Sequence, residues 1–255
     1  MNCIFICVFN NPNYITLLYL LLESIYIYGS LNNSSTEILI YTSTKFMNII
    51  KKSSFYNPYL IHFEINDTYG SIEKACKARL DLFDLSVIQK YSKILYLDTD
   101  ILVKGDLNTV FDLCQKDKLY VLEEGFINSD TDYWGKSLFV SAGDLTLYNE
   151  TTTAFTSGIL LFNNCKVLRD LFVVINADMI ARPMWFFCQD QPYIVYNAFK
   201  YGLYDNQVLK EFVVNNDHNI CSNKIIHHFP GSPGVYEHKI NFMHTYLTNL
   251  KQLSV

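Results

Sequence analysis

The first hundred residues alternate between short apolar runs and longer amphipathic stretches, and this order limits the possible folds more than any other feature. Four runs rich in β-branched and aromatic residues predict buried strands, at Cys3–Phe9, Glu37–Tyr41, Tyr59–Phe63 and Lys93–Leu97. The stretches between them predict helices at Tyr14–Tyr28, at Lys45–Ser54 and from Ser71 to about Leu85. Such a βαβα order requires a largely parallel sheet with helices on both faces, so we predict an α/β fold.

The second half of the chain is less regular. A long segment, Glu123–Asn149, mixes acidic residues, glycine, serine and aromatic residues and is predicted to be a loop. After it, the pattern predicts strands at Gly158–Phe162, Phe212–Val214 and Ile225–His228, and helices at Lys166–Ala181, Asp190–Phe199 and Tyr236–Leu250. Because no repeat, low-complexity tract or linker interrupts the sequence, we predict one continuous domain over residues 1–255.

Composition excludes several classes of protein. Half of the residues are hydrophobic, which excludes a disordered chain, and 20 basic against 25 acidic residues leave a net charge of −5. Binding to nucleic acid through phosphate contacts is therefore not expected. A ligand that carries phosphate would need local neutralisation, since the field of the whole protein opposes it.

Seven cysteines without a C-x-x-C pair predict buried thiols in a reducing compartment, hence a cytoplasmic protein (in the host cytoplasm if the chain is viral). The N-terminus lacks the basic region of a signal peptide. The apolar segment Tyr14–Tyr28 is short for a membrane span and is interrupted by Glu23. We predict no transmembrane segment.

The motif with the clearest chemistry is Asp98-Thr99-Asp100, which follows directly on the predicted strand Lys93–Leu97. In an extended chain alternate side chains share a face, so Asp98 and Asp100 point the same way at the carboxyl end of a central strand. Open α/β sheets bind ligands at that edge. Two adjacent carboxylates repel each other unless a cation lies between them, and their oxygen ligands suit Mg²⁺ or Mn²⁺. The alternative is that both residues simply form a turn.

With this motif in its context, the chain resembles the family 8 glycosyltransferases, the glycogenin-like group. Four segments carry the resemblance in the family's order: "KARLDLFDL…YSKILYLDTDILV", "FTSGILLFN" (Phe155–Asn163), "QDQPYIVYNAF" (Gln189–Phe199) and "HHFPGSPGVYEHK" (His227–Lys239). Thr156 stands where the family more often has asparagine. The resemblance implies the nucleotide-diphospho-sugar transferase (GT-A, Rossmann-like) fold, with a nucleotide-binding half at residues 1–106 and a donor-sugar and acceptor half at residues 107–255.

The resemblance also implies the residues of a donor site. Asp98, Asp100 and His228 would ligate a metal ion, expected to be Mn²⁺ (or Mg²⁺). The uracil and ribose of a UDP-sugar would be bound by Val8, Asn10, Asn11, Tyr14 and Thr99, and the diphosphate and sugar by Arg79, Ser157, Gly158 and Gly231. Asn10 and Asn11 could instead only cap the first helix, and Arg79 could be a solvated helix residue.

One position departs from the family pattern. The family's lysine lies three residues after the motif glycine, where this chain has Gly234, and the next lysine is Lys239. Either Lys239 replaces that lysine, which we prefer, or backbone N–H groups of the Gly231–Gly234 loop bind the phosphate as an anion nest.

The implied reaction is retaining transfer of a hexose, glucose or galactose, from UDP-sugar to a hydroxyl of an unknown sugar, protein or lipid acceptor. Asp190 and Gln191 are the predicted catalytic residues, with Gln191 next to the anomeric carbon and Asp190 orienting donor or acceptor. Retention could use either a covalent carboxylate intermediate, for which Asp190 is the candidate, or front-face attack. Alternatively, Asp190 has a structural role and caps a helix.

Two other functions remain open at this stage. A catalytically impaired protein that binds sugar nucleotides would fit the missing family lysine. A haloacid-dehalogenase-like phosphatase also has D-x-D after an apolar strand, but there the motif lies near the first strand. Trp134, Tyr133 and Phe139 could stack on acceptor sugars or pack in the core. A homodimer is possible.

Overall fold

The fold is described from a computed structural model, which covers residues 1–31, 35–231 and 236–253. The strands are β1 (Asn2–Val8), β2 (Thr36–Thr42), β3 (Ile61–Ile65), β4 (Lys93–Leu97), β5 (Ile101–Val103), β6 (Leu119–Phe126), β7 (Thr153–Asn163), β8 (Tyr204–Asp205), β9 (Val213–Asn215) and β10 (Ile226–His228). The helices are α1 (Asn13–Tyr28), α2 (Thr44–Lys51), α3 (Ile72–Cys76), α4 (Leu107–Asp112), α5 (Lys166–Ala181), α6 (Gln191–Tyr201) and α7 (Tyr236–Leu253).

Seven strands form the central sheet in the order β3-β2-β1-β4-β7-β6-β8. The four strands of the first hundred residues run parallel to one another, whereas β7 runs antiparallel to both β4 and β6. The prediction of a mainly parallel α/β sheet is therefore confirmed. A second, three-stranded sheet, β5-β10-β9, pairs β10 antiparallel to β5 and parallel to β9.

Alternate residues of β1 show how the chain builds two cores. Cys3 and Phe5 pack on one face of the sheet in a cluster that includes apolar residues of α5 and α6. Ile4, Ile6 and Val8 pack on the other face with α1 and α2. Since successive side chains of a strand point to opposite faces, a continuous apolar strand requires helices on both sides. A third cluster joins α1 to α7.

Two predicted segments differ in the structure. A helix is expected from Ser71 to about Leu85. The structure has instead the five-residue helix α3, followed by a 3₁₀ segment at Ala78–Asp84. The loop expected from Glu123 begins only at Ile127, four residues later, because β6 continues to Phe126 and pairs with β7.

The predicted location of the thiols is only partly right. All seven cysteines are free, and Cys3 and Cys114 are buried, but four others are partly exposed and Cys221 is exposed. Over the described parts of the chain, no helix is both long and apolar enough to cross a membrane.

Candidate active site

A cavity of about 430 Å³ opens where β1 and β4 end. All the site residues expected from the sequence line it except Val8, Asn10 and Asn11. From the end of β1, the cavity is lined instead by Cys7 and Phe9. The structure thus brings together segments that are far apart in the chain, such as those of Arg79 and Lys239, which are 160 residues apart.

Three potential metal ligands meet at the base of this cavity. Single ligand atoms of Asp98, Asp100 and His228 all lie within 4.8 Å of one another. Asp98 follows β4 directly, Asp100 precedes β5, and His228 ends β10, which is paired with β5. The backbone N–H of Phe229 donates to the Asp100 carbonyl oxygen over 2.9 Å, which fixes the two strand ends relative to each other.

The surroundings orient these three side chains for an ion. His228 Nδ1 lies 2.9 Å from Asn215 Oδ1, so its other nitrogen, Nε2, faces the carboxylates and is 3.5 Å from Asp100 Oδ1. A partner on the second ring nitrogen of this kind is typical of metal-bound histidines. Two carboxylates and one imidazole are a donor set that divalent Mn²⁺ accepts.

Gly158 keeps the space for the ion open. A Cβ atom at this position would lie 2.6 Å from His228 Cε1 and 3.0 Å from Asp98 Oδ2. The backbone is held in place here, because Asp98 N–H donates to the Gly158 carbonyl oxygen over 2.9 Å. We call Asp98, Asp100, Gly158 and His228 the metal cradle. The residues present fit a divalent cation.

Arg79 is the central cation of the cavity. Its Nε lies 2.9 Å from Asp190 Oδ2, and its Nη1 lies 3.5 Å from Asp98 Oδ1 and donates to the Ser157 carbonyl oxygen over 2.6 Å. The guanidinium also stacks over the ring of Tyr96, 4.8 Å from its centre. Far from being a solvated helix residue, Arg79 is held on four sides with part of its fork directed at the cavity.

Asp190 is a buried carboxylate, only 1% exposed, immediately before α6. Burial is the main cause that raises its pKa to about 6; Arg79 acts against this shift and Asp98 adds to it. Its side chain makes no capping hydrogen bond to α6. Asp190 thus occupies the N-cap position of α6 without capping the helix through its side chain, which pairs with Arg79 instead.

Gln191 is held by two elements. Its Oε1 accepts from the backbone N–H of Ser157 over 2.9 Å, and its Nε2 donates to the Tyr133 carbonyl oxygen over 3.2 Å. The amide therefore has a fixed orientation between β7 and the loop that follows β6. It lines the cavity beside Asp190.

Lys239, on α7, reaches the cavity from the C-terminal end of the chain. Its Nζ donates to Asp100 Oδ2 over 2.5 Å. The same nitrogen lies near Gly231, where an added Cβ atom would be 3.8 Å from it. Burial acts to raise the pKa of Asp100, but His228 and Lys239 outweigh it and hold that pKa below its usual value. Gly234, the other candidate phosphate contact, lies outside the described residues.

The residues expected to bind the nucleoside divide into two groups. Tyr14 lines the cavity and accepts a hydrogen bond from the Tyr236 hydroxyl over 3.0 Å. Val8 is fully buried, and Asn11 Oδ1 accepts from the N–H of Asn13, as a residue that starts α1 would. Asn10 has a φ of +65° and, in the orientation its partners favour, its amide pairs with Gly70 and Ile72.

Sequence reasoning missed several residues of the cavity, and two of them carry polar groups beside the predicted site. Tyr96 donates its hydroxyl to Asp98 and supports Arg79, and its position two residues before Asp98 on the same strand face was the available signal. Glu124 also lines the cavity, from the end of β6. No sequence signal distinguishes Glu124, because the sequence predicts a loop for this segment.

Comparison with known proteins indicates the same family as the sequence motifs. The model of the family described as Glycosyl transferase family 8 matches residues 19–173. No curated protein matches the chain by sequence.

Several solved structures share the fold. The galactosyltransferase LgtC, in complex with donor and acceptor sugar analogues, aligns with a TM-score of 0.60 and 17% identity over 96% of each chain. Mouse xyloside xylosyltransferase 1 aligns with a TM-score of 0.61 and 10% identity over 90% of this chain and 98% of its own. The bifunctional glycosyltransferase WbbM aligns with a TM-score of 0.59 and 16% identity over 98% of this chain but 51% of its own. The chain thus has the GT-A fold, and it spans about half the length of WbbM.

Proposed function

The chain belongs to glycosyl transferase family 8, and from that premise we propose that it transfers a hexose, glucose or galactose, from a UDP-sugar to a hydroxyl acceptor with retention of configuration. The metal cradle carries this proposal. It joins two carboxylates, an imidazole and a space kept open by Gly158 at the base of a cavity that also holds Arg79. Family membership leaves the phosphatase alternative without support.

Asp98, Asp100 and His228 would hold the cation, which we propose to be Mn²⁺. Held by these residues, a divalent ion would supply positive charge that stabilises the departing diphosphate. This supplies the local positive charge that a protein with a net charge of −5 needs for a phosphate ligand.

The chain's own cations act on the same group. Arg79 and Lys239 lie on the cavity with their charged ends near the two aspartates, where an oxygen of the diphosphate would meet them. Arginine matches phosphate oxygens with a planar fork, and lysine acts as a point charge. Lys239 thereby takes the place of the family's lysine, although it lies further along the chain.

Asp190 and Gln191 act on the sugar. Above a pH of about 6 Asp190 is ionised, and its ion pair fixes Arg79 in a position between it and Asp98. The backbone N–H of Ser157 fixes Gln191 Oε1. This oxygen would stabilise the positive charge that develops at the anomeric carbon. Both roles require orientation, which the described contacts supply.

We propose that retention proceeds by front-face attack. The bond between the anomeric carbon and the diphosphate oxygen breaks, the acceptor oxygen bonds to that carbon on the same face, and the hydroxyl proton passes to the departing diphosphate oxygen. A covalent route would need a free carboxylate as nucleophile. Asp190 is buried and paired with Arg79, so we assign it to positioning.

The test is the release of UDP from a panel of UDP-sugars in the presence of Mn²⁺, with p-nitrophenyl phosphate as a second substrate. We expect UDP release from UDP-glucose or UDP-galactose and no cleavage of the phosphomonoester. Binding of UDP without turnover of any donor would favour the impaired protein. Near-normal turnover in both Asp190→Ala and Gln191→Ala would contradict the roles assigned to these residues.

A further inference from the structure

One side of the cavity has no role in the donor chemistry above. Glu124, Tyr133, Trp134 and Phe187 line it, and none of them touches the metal cradle or Arg79 through a hydrogen bond or ion pair. Among the described residues, no hydrogen-bonding or ion-pair partner is found for the Glu124 carboxylate. A half-buried carboxylate without a partner at a cavity wall is a group that a ligand can satisfy.

A bulge in β6 places Glu124 in the cavity. The pairing of β6 with β7 shifts between Glu123 and Phe126, so one extra residue is inserted on β6 at this point. Gly125, next to Glu124, has a φ of +61°, a conformation that favours glycine. Bulges of this kind change the direction of a side chain and are frequent beside active sites.

The same bulge supports Trp134. A Cβ atom on Gly125 would lie 2.2 Å from the indole ring, so the ring packs directly on the glycine backbone. The next residue, Gly135, has a φ of +77°, and a Cβ atom there would be 2.8 Å from the Pro192 carbonyl oxygen. Two glycines therefore fix the position of Trp134 between β6 and α6.

Two further rings extend this surface. The ring centres of Tyr133 and Trp134 are 5.8 Å apart, and those of Tyr133 and Phe187 are 5.4 Å apart. The Tyr133 backbone is also bound by Gln191, the residue assigned to the anomeric carbon. We call Tyr133, Trp134 and Phe187 the aromatic wall. Phe139, the third aromatic residue considered from the sequence, is buried in the core against Tyr148 and Tyr196.

We propose that Glu124 and the aromatic wall form the acceptor subsite and that the acceptor is a saccharide, an inference that rests on the proposed function. A pyranose ring has an apolar C–H face that packs on aromatic rings and an edge of hydroxyl groups that donate hydrogen bonds. Glu124 accepts from two neighbouring hydroxyls of the acceptor. A third hydroxyl attacks the anomeric carbon, and its proton leaves with the diphosphate as described above.

The charge of Glu124 favours a saccharide over the other acceptor classes. A tyrosine or serine side chain brings one hydroxyl, which is consumed in the reaction and leaves the carboxylate desolvated and unpaired. A lipid alcohol brings only apolar surface beyond its single hydroxyl, and burying a carboxylate against it is unfavourable. A sugar alone supplies several donors together with a stacking face.

The experiment measures how acceptors accelerate UDP release above the slow hydrolysis of the donor by water. Methyl glycosides of glucose, galactose, mannose and xylose are compared with N-acetyltyrosinamide and with octanol, and the product is identified by mass spectrometry. We expect at least one methyl glycoside to accelerate release about tenfold or more and to appear in the product. A larger acceleration by N-acetyltyrosinamide or octanol would overturn the proposal.

Matched variants connect the effect to the wall. Glu124→Gln is expected to raise KM for the best glycoside about tenfold, since hydrogen bonds to a charged group are lost, and to leave KM for the UDP-sugar unchanged. Glu123→Gln removes the same charge from the neighbouring residue, which contacts Thr153 and Gln207 outside the cavity, and should change neither. An equal KM in wild type and Glu124→Gln would contradict the assignment.

A second pair of variants avoids dependence on one substitution. Phe187→Leu shortens the wall and should raise the glycoside KM several-fold, while Trp185→Leu changes a residue that is 79% exposed and not on the cavity.

The proposed function and the acceptor proposal are contradicted by different results. If no UDP-sugar is bound or hydrolysed, the proposed function is wrong; if a donor is hydrolysed but no glycoside accelerates the reaction, only the acceptor proposal is wrong.

Discussion

The metal cradle and the aromatic wall line the same cavity but are built in opposite ways. The cradle comes from strand ends that are held by backbone hydrogen bonds, such as those from Asp98 to Gly158 and from Phe229 to Asp100. The wall comes from Tyr133 and Trp134 in the irregular segment after β6, and from Phe187 in the one before α6. The sheet thus fixes the atoms that are proposed to act on a diphosphate, whereas loops fix the surface that is proposed to select the acceptor.

Substituting a glycine in each region should separate these two roles. In the cradle, Gly158→Ala introduces a methyl group that conflicts with His228 and Asp98. We expect the affinity for Mn²⁺ in the presence of UDP to fall about a hundredfold, at the upper end of what a disturbed ligand environment costs. Titration calorimetry measures it.

Gly143→Ala is the control for this substitution, because Gly143 is exposed, has an ordinary φ of −68°, and an added Cβ atom would make only an ordinary contact of 3.8 Å with Ser141 Oγ. Unchanged Mn²⁺ affinity in Gly158→Ala would show that the cradle is not the metal site.

Lys239 should link the cradle to the nucleotide, because its Nζ donates a hydrogen bond to Asp100, one of the proposed metal ligands. Lys239→Met is expected to raise the Mn²⁺ affinity of the nucleotide-free protein and to lower the affinity for UDP with Mn²⁺, each by about tenfold. The control is Lys251→Met, which removes the other α7 lysine that is paired with a carboxylate, Glu23. Shifts of equal sign for both ligands would exclude this competition.

In the wall, Gly125→Ala should disturb the acceptor side alone. The added methyl group displaces Trp134, and we expect KM for a glycoside acceptor to rise about fivefold, the loss of about 1 kcal/mol of ring contact, with KM for the donor unchanged. Gly202→Ala introduces the same type of backbone strain, at a φ of +63°, where a Cβ atom meets nothing within 4 Å. A donor KM that rises as much as the acceptor KM would show that the two regions are not separate.

Asp190 lies between the two regions, and its titration should appear in stability. Its pKa is raised to about 6 by burial, above the value of about 4 in the unfolded chain, so the folded state binds the proton more tightly. The free energy of unfolding of the wild type, relative to Asp190→Asn, should therefore increase as the pH falls from about 6 to about 4.

The expected effect is a relative rise in Tm of about 3 °C, and thermal unfolding of the metal-free proteins at several pH values measures it. A difference between the two proteins that does not change with pH would contradict the buried, titrating carboxylate.

The contrast between cradle and wall also explains what the sequence could predict. Strand and helix periodicity predicted the strand Lys93–Leu97 and a helix near Lys166–Ala181, both of which the structure has, and strand alternation placed Asp98 and Asp100 on one face. That β7 joins the sheet antiparallel to β4, and that Arg79 pairs with Asp190, depend on contacts between segments far apart in sequence. Such contacts leave no local pattern.

The wall was harder to predict for a further reason. Tyr133, Trp134 and Phe139 are equivalent in sequence, and only the bulge at Gly125 and the packing of Phe139 against Tyr196 distinguish cavity from core. Glu123 and Glu124 differ in the same way: the bulge directs one into the cavity and leaves the other at Thr153. Local conformation set by tertiary contacts decides both cases.

The most direct test of the proposed donor site is the binding of UDP measured by calorimetry with Mn²⁺, with EDTA, and in Asp100→Asn. If the cradle holds the ion that holds the diphosphate, UDP should bind at least about a hundredfold more tightly with Mn²⁺ than with EDTA, and Asp100→Asn should remove that difference. Asp112→Asn, which changes an exposed aspartate away from the cavity, should retain it. Equal UDP affinity with Mn²⁺ and with EDTA in the wild-type protein would contradict a metal-held sugar nucleotide.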